Sequence, residues 1–142
     1  MESFEKLLPH LPEPVLLSDL LTTLRSNLTD VPNAMLGEVG LDRSFRIPFQ
    51  PGSERKLSDF TVPLDHQIHI LEAQLELAVE LRRSVSLHSV KAQQATLQLI
   101  DRMARRHGEA WDVISIDMHS CGLSPEVWMT LEASAISFSM SG

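Results

Sequence analysis

Cysteine occurs once in the 142 residues, at Cys121. A single cysteine excludes a disulfide framework and a cysteine-type zinc module. Long apolar runs are absent as well, because the longest spans only a few residues, whereas a membrane helix needs about 20. The N-terminal segment carries Glu2 and Glu5 and lacks the apolar core of a secretory signal. We therefore expect a soluble intracellular protein, cytoplasmic or nuclear, that does not enter a membrane.

Positive charge is scarce, since 12 Lys and Arg residues stand against 19 Asp and Glu, for a formal net charge of −7. This balance excludes a broad basic surface that would bind nucleic acid by charge alone. It leaves room for a local basic patch, or for a metal ion that meets a phosphate in an acidic cleft. The hydrophobic fraction of 43% is typical of a globular domain with its own core.

Apolar periodicity predicts alternating helices and strands after an irregular start over 1–14. Helices are predicted over 15–27, from Pro63 to Arg83, over 91–107 and from Ser124 onward; strands are predicted over 34–39, 84–88, 111–118 and 135–139. Such alternation is typical of a parallel sheet built from βαβ units. A doubly wound sheet and a closed (β/α)8 barrel both fit this order. The glycine-rich phosphate loop that would mark a small doubly wound domain is absent.

Three ligand-type side chains fall at matching places in the predicted sheet. Glu38 and His88 end the first and second predicted strands, and His119 follows the third. Because the carboxyl ends of parallel strands open on one face, we expect these side chains to share one cleft. A carboxylate and neutral imidazoles are suitable ligands for a divalent metal ion. Asp42 and Asp117 are close enough in sequence to orient such ligands.

A plainer explanation exists for each of these histidines, since a lone histidine at a strand end is usually a hydrogen-bonded structural residue. Their equivalent positions favour a shared site without proving one. His66 and His69 also lie one helical turn apart, like a metal-binding pair. No third ligand is near them in the sequence, and a solvated helix face explains both.

A long loop is predicted over 43–61, because this segment contains prolines and a glycine and its apolar residues lack a period. Its basic residues outnumber its acidic ones: Arg43, Arg46, Arg55 and Lys56 against Glu54 and Asp59. Since the loop follows Glu38 closely, it would lie over the same face as the metal ligands. Arg43, Arg46 and Lys56 are therefore candidates to hold a phosphate backbone, and a solvated loop without a ligand is the alternative.

The segment 37–42, Gly-Glu-Val-Gly-Leu-Asp, is similar to the GExGLD motif of the TatD-type metal-dependent hydrolases and deoxyribonucleases. The segments 85–89 (VSLHS) and 116–122 (IDMHSCG) resemble the two histidine motifs that follow it in this family. Gln67 and the segment 74–81 resemble the intervening helix, and 44–48 and 56–58 resemble the fungal branch. The resemblance covers roughly residues 36–132.

This resemblance implies a (β/α)8 barrel that uses one or two divalent metal ions to hydrolyse phosphodiesters such as DNA. It implies that Glu38 binds or bridges the metal and takes part in catalysis, and that His88 and His119 complete part of the site. The ion would be Mg²⁺, Mn²⁺ or Zn²⁺. We therefore expect an α/β fold with about half of a (β/α)8 barrel.

The chain also departs from the family pattern. It contains no His-x-His pair, which the family carries after its first strand, and Gly142 comes before the family's late aspartate ligand. Val90 stands where the family often has arginine. A full barrel needs about 250 residues, so we expect 1–142 to form a single incomplete domain with open sheet edges.

Impaired hydrolysis and self-association through those edges are the expected consequences. The alternative is a non-catalytic interaction protein on a degraded form of the same fold.

Overall fold

The computed structural model describes residues 4–49, 56–119, 122, 124–126, 129–130 and 138–140. Its helices are α1 (Phe4–Leu7), α2 (Leu17–Asp30), α3 (Leu64–Leu81), α4 (Gln93–His107) and α5 (Glu109–Asp112), with a 3-10 turn at Leu8–His10. Its strands are β1 (Leu36–Asp42), β2 (Val85–Val90), β3 (Ile116–His119) and β4 (Phe138–Met140). Within the described residues, no helix is both long enough and apolar enough to cross a bilayer.

The four strands form one parallel sheet in the order β1-β2-β3-β4. Helix α3 connects β1 to β2, and α4 and α5 connect β2 to β3. A doubly wound sheet reverses its strand order at a switch point, whereas the spatial order here follows the sequence, as it does in a barrel. The predicted α/β class is confirmed, and the sheet is consistent with part of a (β/α)8 barrel.

The core lies between one face of the sheet and helices α3 and α4. Along β2 the residues Val85, Leu87 and Ser89 are buried, while those between them are only half-buried. The helices contribute apolar stripes at helical spacing, whose buried members include Leu71, Leu75, Ala78, Leu99 and Met103. The opposite face of the sheet is left with the half-buried polar side chains.

Charged side chains also tie α3 to α4. Glu72 accepts a hydrogen bond of 2.8 Å from Arg102 Nη2, and its other oxygen lies 2.9 Å from Arg106 Nη2. The hydrogen bond from Arg102 holds the pKa of Glu72 below its ordinary value, against the opposing effect of partial burial. An ionised Glu72 therefore contributes to the contact between these two helices.

Two predicted elements are wrong. Residues 111–115 are not a strand, because α5 occupies 109–112 and β3 begins only at Ile116. Trp111 and Ile114 are both buried, and their three-residue spacing places both on one side of a helical turn but on opposite faces of a strand. The segment 1–14 is not wholly irregular either, since 4–10 forms α1 and the 3-10 turn.

The predicted loop 43–61 is partly organised by backbone pairing in its described residues. Pro48 and Leu57 form an antiparallel bridge, and the Ile47 amide donates to the Phe60 carbonyl at 3.0 Å. The amide and hydroxyl of Ser58 both donate to the Ile47 carbonyl, at 2.9 and 2.6 Å. The described parts of this segment are thus two antiparallel arms that extend from the end of β1.

The predicted C-terminal elements are described only in part. Residues 125, 126, 129 and 130 are helical, and the Thr130 hydroxyl donates to the Glu126 carbonyl at 3.0 Å, as expected for a helix that begins after Ser124. Strand β4 lies at the end of the predicted strand 135–139, of which 135–137 fall outside the described residues.

Candidate metal centre

The site begins with two histidines on neighbouring strands. His88 of β2 pairs in register with His119 of β3, and Gly40 of β1 pairs with His88 on the other side. In a parallel sheet, residues on one rung project from the same face. The two imidazoles therefore stand side by side on the polar face, with ring centroids 6.0 Å apart.

A β-bulge brings Glu38 to the same face. Leu36 pairs with Val85 and Val39 pairs with Leu87, so β1 carries one residue more than β2 over this interval. Strict alternation would place Glu38 on the core side with buried Leu36. The extra residue reverses the phase of the strand, which turns Glu38 to the polar face and keeps Val39 in the core.

Strand β1 was predicted to end near Glu38, but it runs on to Asp42. The glycine at position 40 does not break β1, because its lack of a side chain is what the packing against β2 requires. A Cβ on Gly40 would lie 1.8 Å from the His88 carbonyl oxygen, so only glycine lets β1 approach β2 this closely. Strand β2 likewise continues past His88 to Val90, so these two site residues lie inside their strands rather than at the ends.

The carboxylate of Glu38 lies between the two imidazoles. Its Oε1 is 2.9 Å from His88 Nδ1, and its Oε2 is 3.0 Å from His119 Nε2. One ligand atom from each residue lies within 4.8 Å of the others. The Glu38 side chain is 55% exposed and those of His88 and His119 are 24% and 20% exposed, so the cluster opens to solvent on the carboxylate side.

The second nitrogen of each imidazole has a partner of its own. His88 Nε2 lies 3.3 Å from Asp42 Oδ2, and His119 Nδ1 lies 3.0 Å from Ser86 Oγ. Metal-binding histidines commonly donate their other N–H to such oxygen atoms, which fixes the tautomer. With the protons on His88 Nε2 and His119 Nδ1, the other ring nitrogens, His88 Nδ1 and His119 Nε2, would be free to bind a cation beside Glu38.

Asp42 is fixed at the end of β1. The Ser44 amide and hydroxyl donate to its Oδ1 at 2.8 and 2.7 Å. Partial burial acts to raise the pKa of Asp42, but the hydrogen bonds from Ser44 and the contact with His88 outweigh it and hold that pKa below its ordinary value. An ionised Asp42 can only accept, so it can receive a proton carried on His88 Nε2, while Glu38 Oε1 faces Nδ1 on the other side of the ring.

The site residues fit a divalent metal ion. His88 Nδ1 is buried and makes no hydrogen bond within the described residues, although a Glu38 oxygen is 2.9 Å away. With the His88 proton on Nε2, both of these atoms would present lone pairs, and a cation between them would satisfy both. Two imidazole nitrogens and a carboxylate are ligands suited to Zn²⁺ or Mn²⁺.

The structure places the predicted ligands Glu38, His88 and His119 in one cluster. His66 and His69 are exposed on α3 and do not belong to it. Asp42 contacts His88 as predicted, and Asp117 is half-buried in register with Ser86. Ser86 itself escaped the sequence reasoning, although strand alternation places it on the His88 face.

The three basic residues singled out in 43–61 take separate places. Arg43 directly follows β1, and its amide donates to the Val90 carbonyl at 3.0 Å. Arg46 Nη1 donates to the Asp59 carbonyl at 2.7 Å, which links the two arms of the segment. Lys56 Nζ lies 5.6 Å from the centre of the Phe49 ring. Arg46 and Lys56 therefore contribute to the local structure of the segment.

A parallel α/β sheet with a carboxylate and two imidazoles clustered on one face defines an α/β protein with a candidate divalent-metal centre. The chain belongs to the TatD family, because the model of the TatD related DNase family matches residues 12–142. This confirms the family suggested by the GExGLD and histidine motifs.

Two fungal proteins are similar to this chain. Cut9-interacting protein scn1 of Schizosaccharomyces pombe is 44% identical over 87 residues, which are 57% of this chain and 26% of that protein. The uncharacterized deoxyribonuclease YMR262W of Saccharomyces cerevisiae is 31% identical over 94 residues, which are 63% of this chain and 29% of that protein. The matched part thus spans less than a third of either relative.

Proposed function

We propose that this chain carries part of the active site of a metal-dependent hydrolase that acts on the phosphodiester bonds of DNA. The observation that carries the proposal is the convergence of Glu38, His88 and His119, with a buried ring nitrogen of His88 left unsatisfied among the described residues. A bound Mg²⁺, Mn²⁺ or Zn²⁺ supplies Lewis-acid stabilisation of the charge that develops on the phosphoryl group. Membership of the TatD related DNase family supports the reaction class.

Each residue of the site has a distinct role in this proposal. Glu38 is the catalytic carboxylate and holds the ion together with His88 and His119. Asp42 and Ser86 are positioning residues, because each contacts the ring nitrogen that faces away from Glu38. The solvent-facing side of Glu38 is where a phosphodiester can approach.

Substrate contacts are proposed for the basic residues of 43–61. Arg43 lies next to Asp42 at the mouth of the site, whereas Arg46 and Lys56 lie further along the two arms. In a chain of net charge −7, such local cations provide the attraction that a DNA strand needs.

We further propose that the 142-residue chain hydrolyses DNA weakly by itself. Its described residues gather three metal ligands, and a two-metal clamp on a phosphodiester uses more. Residues 1–142 would then act as a single incomplete domain of a larger site.

A cleavage assay tests this proposal. The chain is incubated with end-labelled DNA and Mn²⁺, and the products are compared with those of Glu38→Gln and of the exposed control Glu13→Gln. We expect slow, metal-dependent cleavage that Glu38→Gln abolishes and Glu13→Gln leaves unchanged. Cleavage that survives Glu38→Gln, or that continues in excess EDTA, would contradict the assigned role of Glu38. Rapid multiple turnover would contradict the proposed impairment.

A second candidate function is a non-catalytic interaction protein on the same fold. It is favoured by the name of the relative from Schizosaccharomyces pombe, which describes an interaction with Cut9. Exposed apolar side chains before, within and after α2 offer a surface for it: Val15, Leu16, Leu20, Val31 and Met35. Binding of purified Cut9 that is equal for the chain and for Glu38→Gln, without any metal-dependent cleavage, would favour this second function.

Self-association is proposed at the free edge of β1, which pairs only with β2 within the described sheet. Sedimentation at increasing concentration tests it, with a concentration-independent monomer as the contrary result. We also propose an intracellular location, cytoplasmic or nuclear, which is where a DNA substrate would be found.

A further inference from the structure

A cleft of about 540 Å³ lies beside the metal centre, where β1 and β2 leave the sheet. Its walls come from the residue after β1, the start of α3, and the turn and first turns of α4: Arg43, Leu64, Lys91, Ala92, Gln93, Gln94, Ala95 and Gln98. This volume is within the range of small-molecule sites and exceeds what one phosphate group needs. The cleft therefore has room for a phosphate together with the sugar or base attached to it.

Two cations line this cleft and have no charged partner among the described residues. The side chains of Arg43 and Lys91 are exposed, and neither makes an ion pair or side-chain hydrogen bond within the described residues. Backbone pairing brings them together, because the Arg43 amide donates to the carbonyl of Val90, the residue before Lys91. An acidic chain that places these two cations in one cleft creates a local site for an anion.

The rest of the lining is uncharged. Gln93, Gln94 and Gln98 provide amide groups, and Leu64, Ala92 and Ala95 provide apolar surface. Such a mixture of amide donors and small apolar groups suits the edge and face of a nucleobase better than a compact inorganic anion. Among the described residues, no carboxylate lines the cleft to repel a phosphate.

The position of the cleft relative to the metal centre is also informative. Arg43 follows Asp42, which contacts His88, and Lys91 lies three residues beyond His88 on the same chain. At about 3.3 Å per strand residue, β2 ends at Val90 about 7 Å beyond His88, and Lys91 directly follows that end. A strand whose reacting phosphodiester lies at Glu38 would thus continue over the cleft.

We propose that this cleft binds a nucleotide of a DNA strand next to the reacting phosphodiester, with its phosphate held between Arg43 and Lys91. This inference rests on the proposed function, from which the bound polymer is taken to be DNA. It assigns a binding role to Lys91, which lies outside the basic segment 43–61. It also separates Arg43 from Arg46 and Lys56, whose side chains contact their own segment.

The test is DNA binding without metal. A short fluorescein-labelled single strand is titrated with the chain in EDTA at several NaCl concentrations, and anisotropy gives the dissociation constant. The variant is Arg43→Gln with Lys91→Asn, because asparagine tolerates the left-handed backbone of Lys91 (φ 52°). The control is Lys6→Gln with Arg105→Gln, which removes the same charge from α1 and from the far end of α4.

We expect the cleft variant to bind about tenfold more weakly than the chain, and the control to bind within about twofold of it. Because both cations hold one phosphate, their loss should also reduce the slope of log affinity against log salt by about 0.7, the value for one neutralised phosphate on a single strand. Equal weakening in both variants would overturn the inference, because net charge alone would then account for binding. Unchanged binding by the cleft variant, or no binding by the chain itself, would overturn it as well.

Metal titration separates this inference from the proposed function. By calorimetry with Mn²⁺, the cleft variant should bind the ion like the unmodified chain, whereas Glu38→Gln should lose the ion and keep its DNA binding in EDTA. Failure of the proposed function would appear as a chain that binds DNA through the cleft but shows no metal-dependent cleavage.

Discussion

The side-chain amide of Gln67 pairs with the backbone of Asp42 as a neighbouring strand would. Gln67 Oε1 accepts from the Asp42 amide at 2.8 Å, and Gln67 Nε2 donates to the Asp42 carbonyl at 3.1 Å. Nε2 also donates to the Val62 carbonyl at 3.0 Å. Helix α3 thereby fixes the end of β1, and with it the carboxylate that orients His88.

Gln67→Ala should weaken metal binding, although Gln67 is not itself a metal ligand. Loss of both hydrogen bonds frees Asp42, and removal of such outer partners typically costs about 10- to 100-fold in metal affinity. Calorimetry with Mn²⁺ measures the change, and Gln74→Ala, a half-buried glutamine on the same helix, is the control. An equal loss in both variants would show that α3 as a whole, and not the pairing with Asp42, supports the site.

Gly40→Ala should be strongly destabilising. The added Cβ would meet the His88 carbonyl oxygen at 1.8 Å, so β1 must move away from β2. We expect a loss of about 3 kcal/mol or more in the free energy of unfolding, at the upper end of overpacking effects. Urea denaturation measures it against Gly122→Ala, where a Cβ meets nothing within 4 Å. Similar stability of the two variants would refute the close approach of the strands.

The three predicted ligands were accessible from the sequence because strand order and residue type both pointed to them. The sequence did not show how the backbone brings all three side chains to one face of the sheet. Two residues after buried Leu36, Glu38 would face the core in a regular strand, and the β-bulge between Leu36 and Val39 turns it to the polar face instead. The same glycines suggested a strand end near Glu38, because composition cannot show that β2 leaves no space for a side chain at Gly40.

Other features depended on tertiary contacts that no local pattern carries. The valine and isoleucines of 111–118 suggested a strand, but Trp111 and Ile114 are buried together through a helical turn. Arg46 was identified by its charge alone, yet its guanidinium binds a carbonyl thirteen residues away on the opposite arm. The sequence shows which side chains are charged, but it does not show which group each of them contacts.

Ser86→Ala should lower metal affinity by releasing the His119 ring. The Ser86 hydroxyl lies 3.0 Å from His119 Nδ1, and its loss removes the contact that holds the orientation of that imidazole. Calorimetry with Mn²⁺ measures the change in metal affinity. Ser84→Ala, just before β2, should leave metal affinity unchanged; equal affinity of all three proteins would refute the role of Ser86.

Glu72→Gln should destabilise the chain at neutral pH but not in acid. The hydrogen bond from Arg102 lowers the pKa of Glu72 below its ordinary value, so its stabilisation is present above that ordinary pKa and is lost as the pH falls through the lowered pKa. A partly exposed pair of this kind contributes about 0.2–1 kcal/mol. Urea denaturation at pH 7 and pH 3 measures the difference from the unmodified chain, which should shrink in acid. A constant difference at both pH values would contradict the ionic origin.

The convergence of Glu38, His88 and His119 on one ion is tested most directly by NMR with Mn²⁺, which broadens the signals of nearby nuclei. The chain has 6 histidines, so each ring can be assigned and followed. Substoichiometric Mn²⁺ should broaden the His88 and His119 signals together, leave His66 and His69 sharp, and lose this effect in Glu38→Gln. Broadening of His66 and His69 first, or of His88 without His119, would contradict a shared metal site on the polar face of the sheet.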